Sequence, residues 1–144
     1  MRLLFILFIF TLSLQATSHS AVEAGYYNDY EQALIVAKAE KKPLMLIVVT
    51  SYCPWCRKFE RKSLSSSKAK AYIAAHFVAV IVDRNKDAKL FPAIYQTPRI
   101  PTVYYIDPQS EKAYWETVGY LNKSDLSEAL EDAKILYVSK SKEP

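Results

Sequence analysis

The chain has 144 residues, 19 of them Lys or Arg and 15 Asp or Glu, for a formal charge of +4. That length supports one domain with its own core, and basic residues scattered among acids exclude a nucleic-acid footprint. Two cysteines, Cys53 and Cys56, are too few for a four-ligand zinc site, and two glycines, Gly25 and Gly119, leave flexible hinges scarce.

The amino end reads as an address. Met1-Arg2 is a short positive start, Leu3 to Leu14 is apolar apart from Thr11 and Ser13, and small polar residues follow through Ala21. This is the pattern of a secretory signal, expected over residues 1–20, and cleavage after Ser18 or Ser20 fits equally well. The apolar stretch is shorter than the roughly 20 residues a spanning helix needs, so no stable membrane insertion is expected once it is removed. The segment carries one basic residue and no acid, so export leaves a mild positive charge. Residues 21–140 are expected to form a single domain and 141–144 a tail. Export, expected to the periplasm, places the cysteines where disulfides persist.

After a lead-in to Tyr27, Asn28 is expected to cap a helix over about residues 29–42, with Tyr30, Ala33, Leu34 and Ala37 at helical spacing. Pro43 is expected to end it. Leu44 to Thr50 is an apolar strand, followed at once by Cys53-Pro54-Trp55-Cys56. A helix should begin at Pro54, which suits a first turn, and continue through Arg61. Ser65-Ser66-Ser67 should break it and cap a helix over 68–76. Phe77 to Val82 is a second continuous apolar run. Two such runs indicate parallel strands buried on both faces. One or two helical turns are expected near Leu90 to Tyr95. Thr102–Ile106 and Ala113–Val118 should pair antiparallel across the turn 107–110. Asn122 should start a last helix whose buried stripe is Leu126, Ala129, Leu130, Ala133, Ile135 and Leu136. The order describes an α/β sandwich.

A strand that delivers Cys53 to the start of a helix exposes its sulfur to free N–H groups and the positive end of the helix dipole. Thiolate, the reactive form, is favoured there, and Cys56 one turn on can resolve a mixed disulfide. A purely structural bridge is the plainer reading. However, a two-residue spacer closes a tiny ring and makes a weak staple, so redox work is preferred. Trp55 reads equally as an apolar platform or as helix packing. Tyr104, Tyr105, Tyr114 and Tyr120 read as sheet and core residues. His76, the one histidine past the signal, reads as a helix-end residue.

These residues resemble the thioredoxin superfamily and, within it, the exported thioredoxin-like branch. The resemblance covers about residues 27–138. It rests on the unit Leu44 to Arg61, the loop Arg99-Ile100-Pro101-Thr102, the hairpin 102–118 and the turn Gly119-Tyr120-Leu121-Asn122. It implies an α/β thioredoxin fold, a central mixed sheet of four to five strands flanked by helices on both faces. It implies Cys53 as attacking and Cys56 as resolving sulfur, with Pro54 and Trp55 tuning the potential. A cis Pro101 would present the Ile100 backbone to an extended substrate beside Trp55. The cofactor would be none beyond the redox-active Cys53–Cys56 disulfide. Partners would be protein thiols and disulfides and a recycling redox protein, around a monomer. Ile100 before Pro101 favours reductase or isomerase over oxidase duty.

The chain also departs from the family. The buried acid six residues before the first cysteine is replaced by Ile47, and Phe77 to Val82 carries no lysine to pair with it. Glu60 then becomes a candidate for proton transfer to or from Cys56, against the plainer reading of a solvated carboxylate paired with lysines. No long insertion separates Phe77 from Pro101, and no dimerisation domain precedes the module. The competing function is a non-catalytic module that holds peptides in the same groove with a static disulfide.

Overall fold

The computed structural model describes residues 25–142; the expected signal segment lies outside the described residues. The order is α1 (Tyr30–Glu40), β1 (Leu44–Val49), α2 (Pro54–Lys58) running straight into a π-helical segment (Phe59–Leu64), α3 (Ser67–His76) and β2 (Val78–Asp83). A 3₁₀ turn at Ala93–Tyr95, β3 (Thr102–Asp107), β4 (Lys112–Val118) and α4 (Lys123–Lys140) complete it. The four strands lie in the order β2-β1-β3-β4. β1 and β2 are parallel, with Leu44 opposite Val78, and the other pairs are antiparallel. Tyr27 adds one parallel bridge to Val80 but no fifth strand.

β1 is apolar at every position because it is central and covered on both sides. Successive side chains of a strand point to opposite faces, so β1 feeds two cores. Met45, Ile47 and Val49 pack with Phe59, Leu64, Ile73, Leu126 and Leu130 from the π-segment, α3 and α4. Leu44, Leu46 and Val48 pack with Tyr30, Ala33, Leu34 and Ala37 of α1. Each fully buried side chain of this size contributes roughly 1.5–3 kcal/mol, so the strand that leads to the cysteines is the best anchored in the molecule.

Several boundaries differ from expectation. Asp29, not Asn28, caps α1, its carboxylate accepting the Gln32 N–H at 2.8 Å. The helix stops before Pro43, because Lys41 takes the left-handed conformation at φ 54° and turns its N–H back to Ala37 and Lys38. Ser66 is the cap of α3, so the helix starts at Ser67. Ile135 and Leu136 are exposed, at 64% and 43%. α4 has 18 residues, about 27 Å of helix, whereas a strand of six spans about 20 Å. Its last turns therefore pass beyond the sheet they were expected to cover.

Candidate active site

β1 ends at Val49, and the Cys53 N–H donates to the Thr50 carbonyl (3.2 Å) to close a turn. Pro54 then opens α2, its missing N–H being one of those a first turn leaves unpaired. Cys53 is the N-cap residue, and its Sγ accepts the Cys56 N–H at 3.1 Å. The two cysteines are joined in a disulfide, with Cα atoms 5.2 Å apart. Cys53 is partly exposed and Cys56 is fully buried, so a partner molecule reaches the first sulfur and not the second. Pro54 and Trp55, the residues between them, are both exposed.

The approach to Cys53 is tethered from two sides. Asp83, the last residue of β2, accepts the Ser51 N–H (2.8 Å) and the Ser51 hydroxyl (2.6 Å) on one carboxylate oxygen. Its other oxygen accepts the N–H groups of Asn85 (2.9 Å) and Lys86 (3.1 Å). Burial alone would push this carboxyl up, but the hydrogen bonds from Ser51 and from the Lys86, Asn85 and Ser51 backbone outweigh it and hold it below its ordinary value. Arg57 in α2 donates to the Ser51 carbonyl at 2.9 Å.

Beside Trp55 runs a groove of about 410 Å³, lined by Trp55, Ile100, Pro101, Gly119 and Tyr120. The Ile100–Pro101 peptide bond is cis. The Gly119 N–H donates to the Pro101 carbonyl at 2.8 Å, and Gly119 sits at φ +94°, where a side chain is strained. The Thr102 hydroxyl donates to the Arg99 carbonyl at 2.6 Å. Trp55 is 57% exposed, its ring centroid 5.8 Å from that of Tyr120. The Lys58 ammonium lies over both rings, 4.9 Å from the Trp55 centroid and 4.6 Å from that of Tyr120. Tyr104 and Tyr105 are buried sheet residues. Tyr120 does more than fill the core, since it also walls this groove.

A larger cavity, about 790 Å³, lies behind the active helix, with Glu60, Arg57, Arg61 and Asp83 on its wall and Tyr26, Leu64 and Ile81 among its apolar lining. Neither cavity is lined by the cysteines themselves, but the smaller groove is walled by Trp55, which stands between them in the chain. Glu60 is partly buried, and that burial raises its pKa above the ordinary 4.5. Among the described residues the ion pairs are Lys38–Glu111, Lys42–Glu40 and Arg99–Glu116; the lysine partner expected for a solvated Glu60 is not among them. Ile47 pairs with Ile81 across β1 and β2, so that rung of the sheet is wholly apolar. His76 closes α3 with its ring on Tyr72, centroids 4.5 Å apart. Among the described residues no cluster of His, Cys, Asp or Glu could hold a metal, and no helix is long and apolar enough to cross a membrane.

Sequence reasoning missed Asp83, Lys58 and the second duty of Tyr120. Lys58 had a local signal, since it stands three positions after Trp55, on the same helix face. The roles of Asp83 and Tyr120 at the site had none, because the partners that place them there, Ser51 and Trp55, come from elsewhere in the chain.

Comparison with known proteins agrees with the geometry. Residues 30–134 match the model of the thioredoxin-like domain. The solution structure of a thioredoxin from Thermus thermophilus superposes with a TM-score of 0.71 at 18% identity, over 81% of this chain and 92% of that one. A structure described as DsbH oxidoreductase gives 0.66 at 26% identity, over 85% and 93%. The oxidised C-terminal domain of Neisseria meningitidis DsbD gives 0.59 at 15% identity, over 75% and 98%. Spermatogenesis-associated protein 20 of Rattus norvegicus is 33% identical over 68 residues, 47% of this chain but 9% of that protein, so the chain spans under a tenth of that curated relative. With its fold, its Cys53-Pro54-Trp55-Cys56 disulfide and a family match over most of its length, the chain belongs to the thioredoxin-like domain family.

Proposed function

We propose that the protein is an exported, periplasmic thiol-disulfide oxidoreductase that exchanges disulfides with protein substrates through Cys53, in the reductase or isomerase direction. The observation that carries this reading is the asymmetry of the sulfurs: Cys53 is reachable at a helix start, and Cys56 is sealed in the core. Similarity to a DsbH oxidoreductase and the signal-like start of the chain support export and redox work.

In the reductive direction the Cys53 thiolate attacks one sulfur of a substrate disulfide and expels the other as thiolate, leaving a mixed disulfide. Cys56 gives up its proton and attacks the Cys53 sulfur. That releases the second substrate thiolate and closes the Cys53–Cys56 disulfide. The substrate has gained two electrons, and a recycling redox protein must return them. Glu60 is the proposed acceptor of the Cys56 proton, one turn away on the same helix. The groove residues Trp55, Ile100 and Pro101 hold the substrate's extended backbone. No organic cofactor takes part, and the protein acts as a monomer.

The test is insulin reduction and glutathione equilibration by wild type and Cys53→Ala. Exchange by wild type and none by the variant is expected; a wild type inert toward every thiol overturns the reading. Cys56→Ala should trap substrates as mixed disulfides. A potential well below about −300 mV would mark a static bridge and favour the non-catalytic peptide-holding module.

A further inference from the structure

Lys58 is an exposed lysine whose ammonium lies against aromatic rings. A lysine on a helix face ordinarily carries a flexible stem and a strongly hydrated head. Here the ammonium lies over two aromatic faces at once, 4.9 Å and 4.6 Å from the centroids of Trp55 and Tyr120. Both rings wall the groove beside the reactive disulfide. An ammonium held against ring faces keeps N–H donors for an incoming acceptor. The ion pairs among the described residues leave Lys58 out. Lys62, four residues on, is also exposed. The nearby acids are otherwise placed: Glu60, Asp83 and Asp87 line the cavity behind the helix with Arg57 and Arg61, and Glu116 is bonded to Arg99 at 3.1 Å.

We infer that Lys58, clamped between Trp55 and Tyr120, is a specificity residue that selects protein segments bearing a carboxylate next to their reactive cysteine. The inference rests on the oxidoreductase reading above and names the substrate class for that same site. The groove is apolar and reads backbone, which carries little sequence demand. The clamped charge supplies the demand. A Glu or Asp flanking the substrate cysteine meets the ammonium as the cysteine reaches Cys53, and a Lys or Arg there is repelled. The partner is thus an acidic segment, in an extended conformation, with an apolar or aromatic neighbour to lie on Trp55.

The experiment uses the full chain in its reduced form and short synthetic peptides. Each carries one cysteine as a mixed disulfide with 2-thiopyridine, flanked by Glu, Gln or Lys. Attack of Cys53 on the peptide sulfur expels pyridine-2-thione, whose absorbance gives the rate constant. The Glu peptide should react about 10-fold faster than the Lys peptide at low ionic strength, and the two should converge at about 1 M salt. Lys58→Gln should cut that ratio at least about three-fold, and Tyr120→Leu, which keeps the charge but opens the clamp, should also lower it. Lys140→Gln, an equal charge change at the last residue of α4, should leave the ratio as it was. Equal rates for all three peptides in wild type, or an unchanged ratio in a folded Lys58→Gln, overturn the selectivity and leave the oxidoreductase reading standing. No exchange with any peptide overturns both.

Discussion

Asp83→Asn is the substitution that most directly tests how the site is held. The carboxylate receives four hydrogen bonds, two per oxygen, from Ser51 on one side and from Asn85 and Lys86 on the other. An amide offers one acceptor oxygen, so one of those donor pairs meets an NH₂ group. Two bonds to a charged acceptor are lost, each worth about 1.5–3 kcal/mol when shielded. These bonds are open to solvent, and water replaces part of the loss, so the expected destabilisation is about 1–2 kcal/mol, or about 4–8 °C in Tm. The effect has a pH signature. A carboxylate held below its ordinary 3.8 in the folded state contributes stability at higher pH, and that contribution is lost as pH falls through the folded value. The gap between wild type and variant should be full at pH 7, start to shrink near pH 3.8 and vanish below the folded value. Urea denaturation followed by circular dichroism at a series of pH values measures it. A gap inside about 0.5 kcal/mol at pH 7, the range of ordinary surface changes, refutes the tether; so does a gap that persists unchanged through the acid range.

Glu60→Gln should act with the opposite sign. Burial raises this carboxyl, so its own contribution to stability is full below pH 4.5 and is lost as pH rises through the folded value. The variant should therefore be more stable than wild type at pH 7 and no more stable at pH 4, while its release of trapped substrate by Cys56 slows; unchanged release would remove Glu60 from proton transfer. Lys41→Gly, at the left-handed end of α1, should stabilise by about 0.5–1 kcal/mol in chemical denaturation, and a loss would contradict the assigned φ. Gly119→Ala should cost about 1–2 kcal/mol through backbone strain, since no atom stands within 4 Å of the added methyl; a neutral result would mean the groove wall relaxes.

The parts of the fold legible in the sequence were those with dense local signals. β1 and β2 are unbroken apolar runs, and a run covered on both faces cannot be mistaken for a half-solvated one. Cys53 and Cys56 announced themselves by position, one strand end and one helix start apart. The π-helical segment Phe59–Leu64 was not legible. It depends on distant partners, the Tyr26 hydroxyl donating to the Leu64 carbonyl (2.8 Å) and the Ser63 hydroxyl to the Leu121 carbonyl (2.6 Å). The reach of α4 was misjudged for a similar reason, because helical periodicity says which face is apolar and not how much sheet lies beneath it. The role of Asp83 appears only when β2 lies parallel to β1 and brings it to Ser51.

Val48 sits opposite Thr102 on neighbouring strands. The chain leaves β1 toward the sulfurs just past that rung and enters β3 from the cis-proline loop just before it. A single pair of residues at the ends of the two central strands thus sets the distance between the turn that carries Cys53 and the loop that walls the groove. The dipeptide Pro54-Trp55 lies outside that frame. On the proposed reading, rewriting it would change the surroundings of the Cys53 sulfur while the spacing stays fixed, which makes the scaffold suited to retuning by two codons.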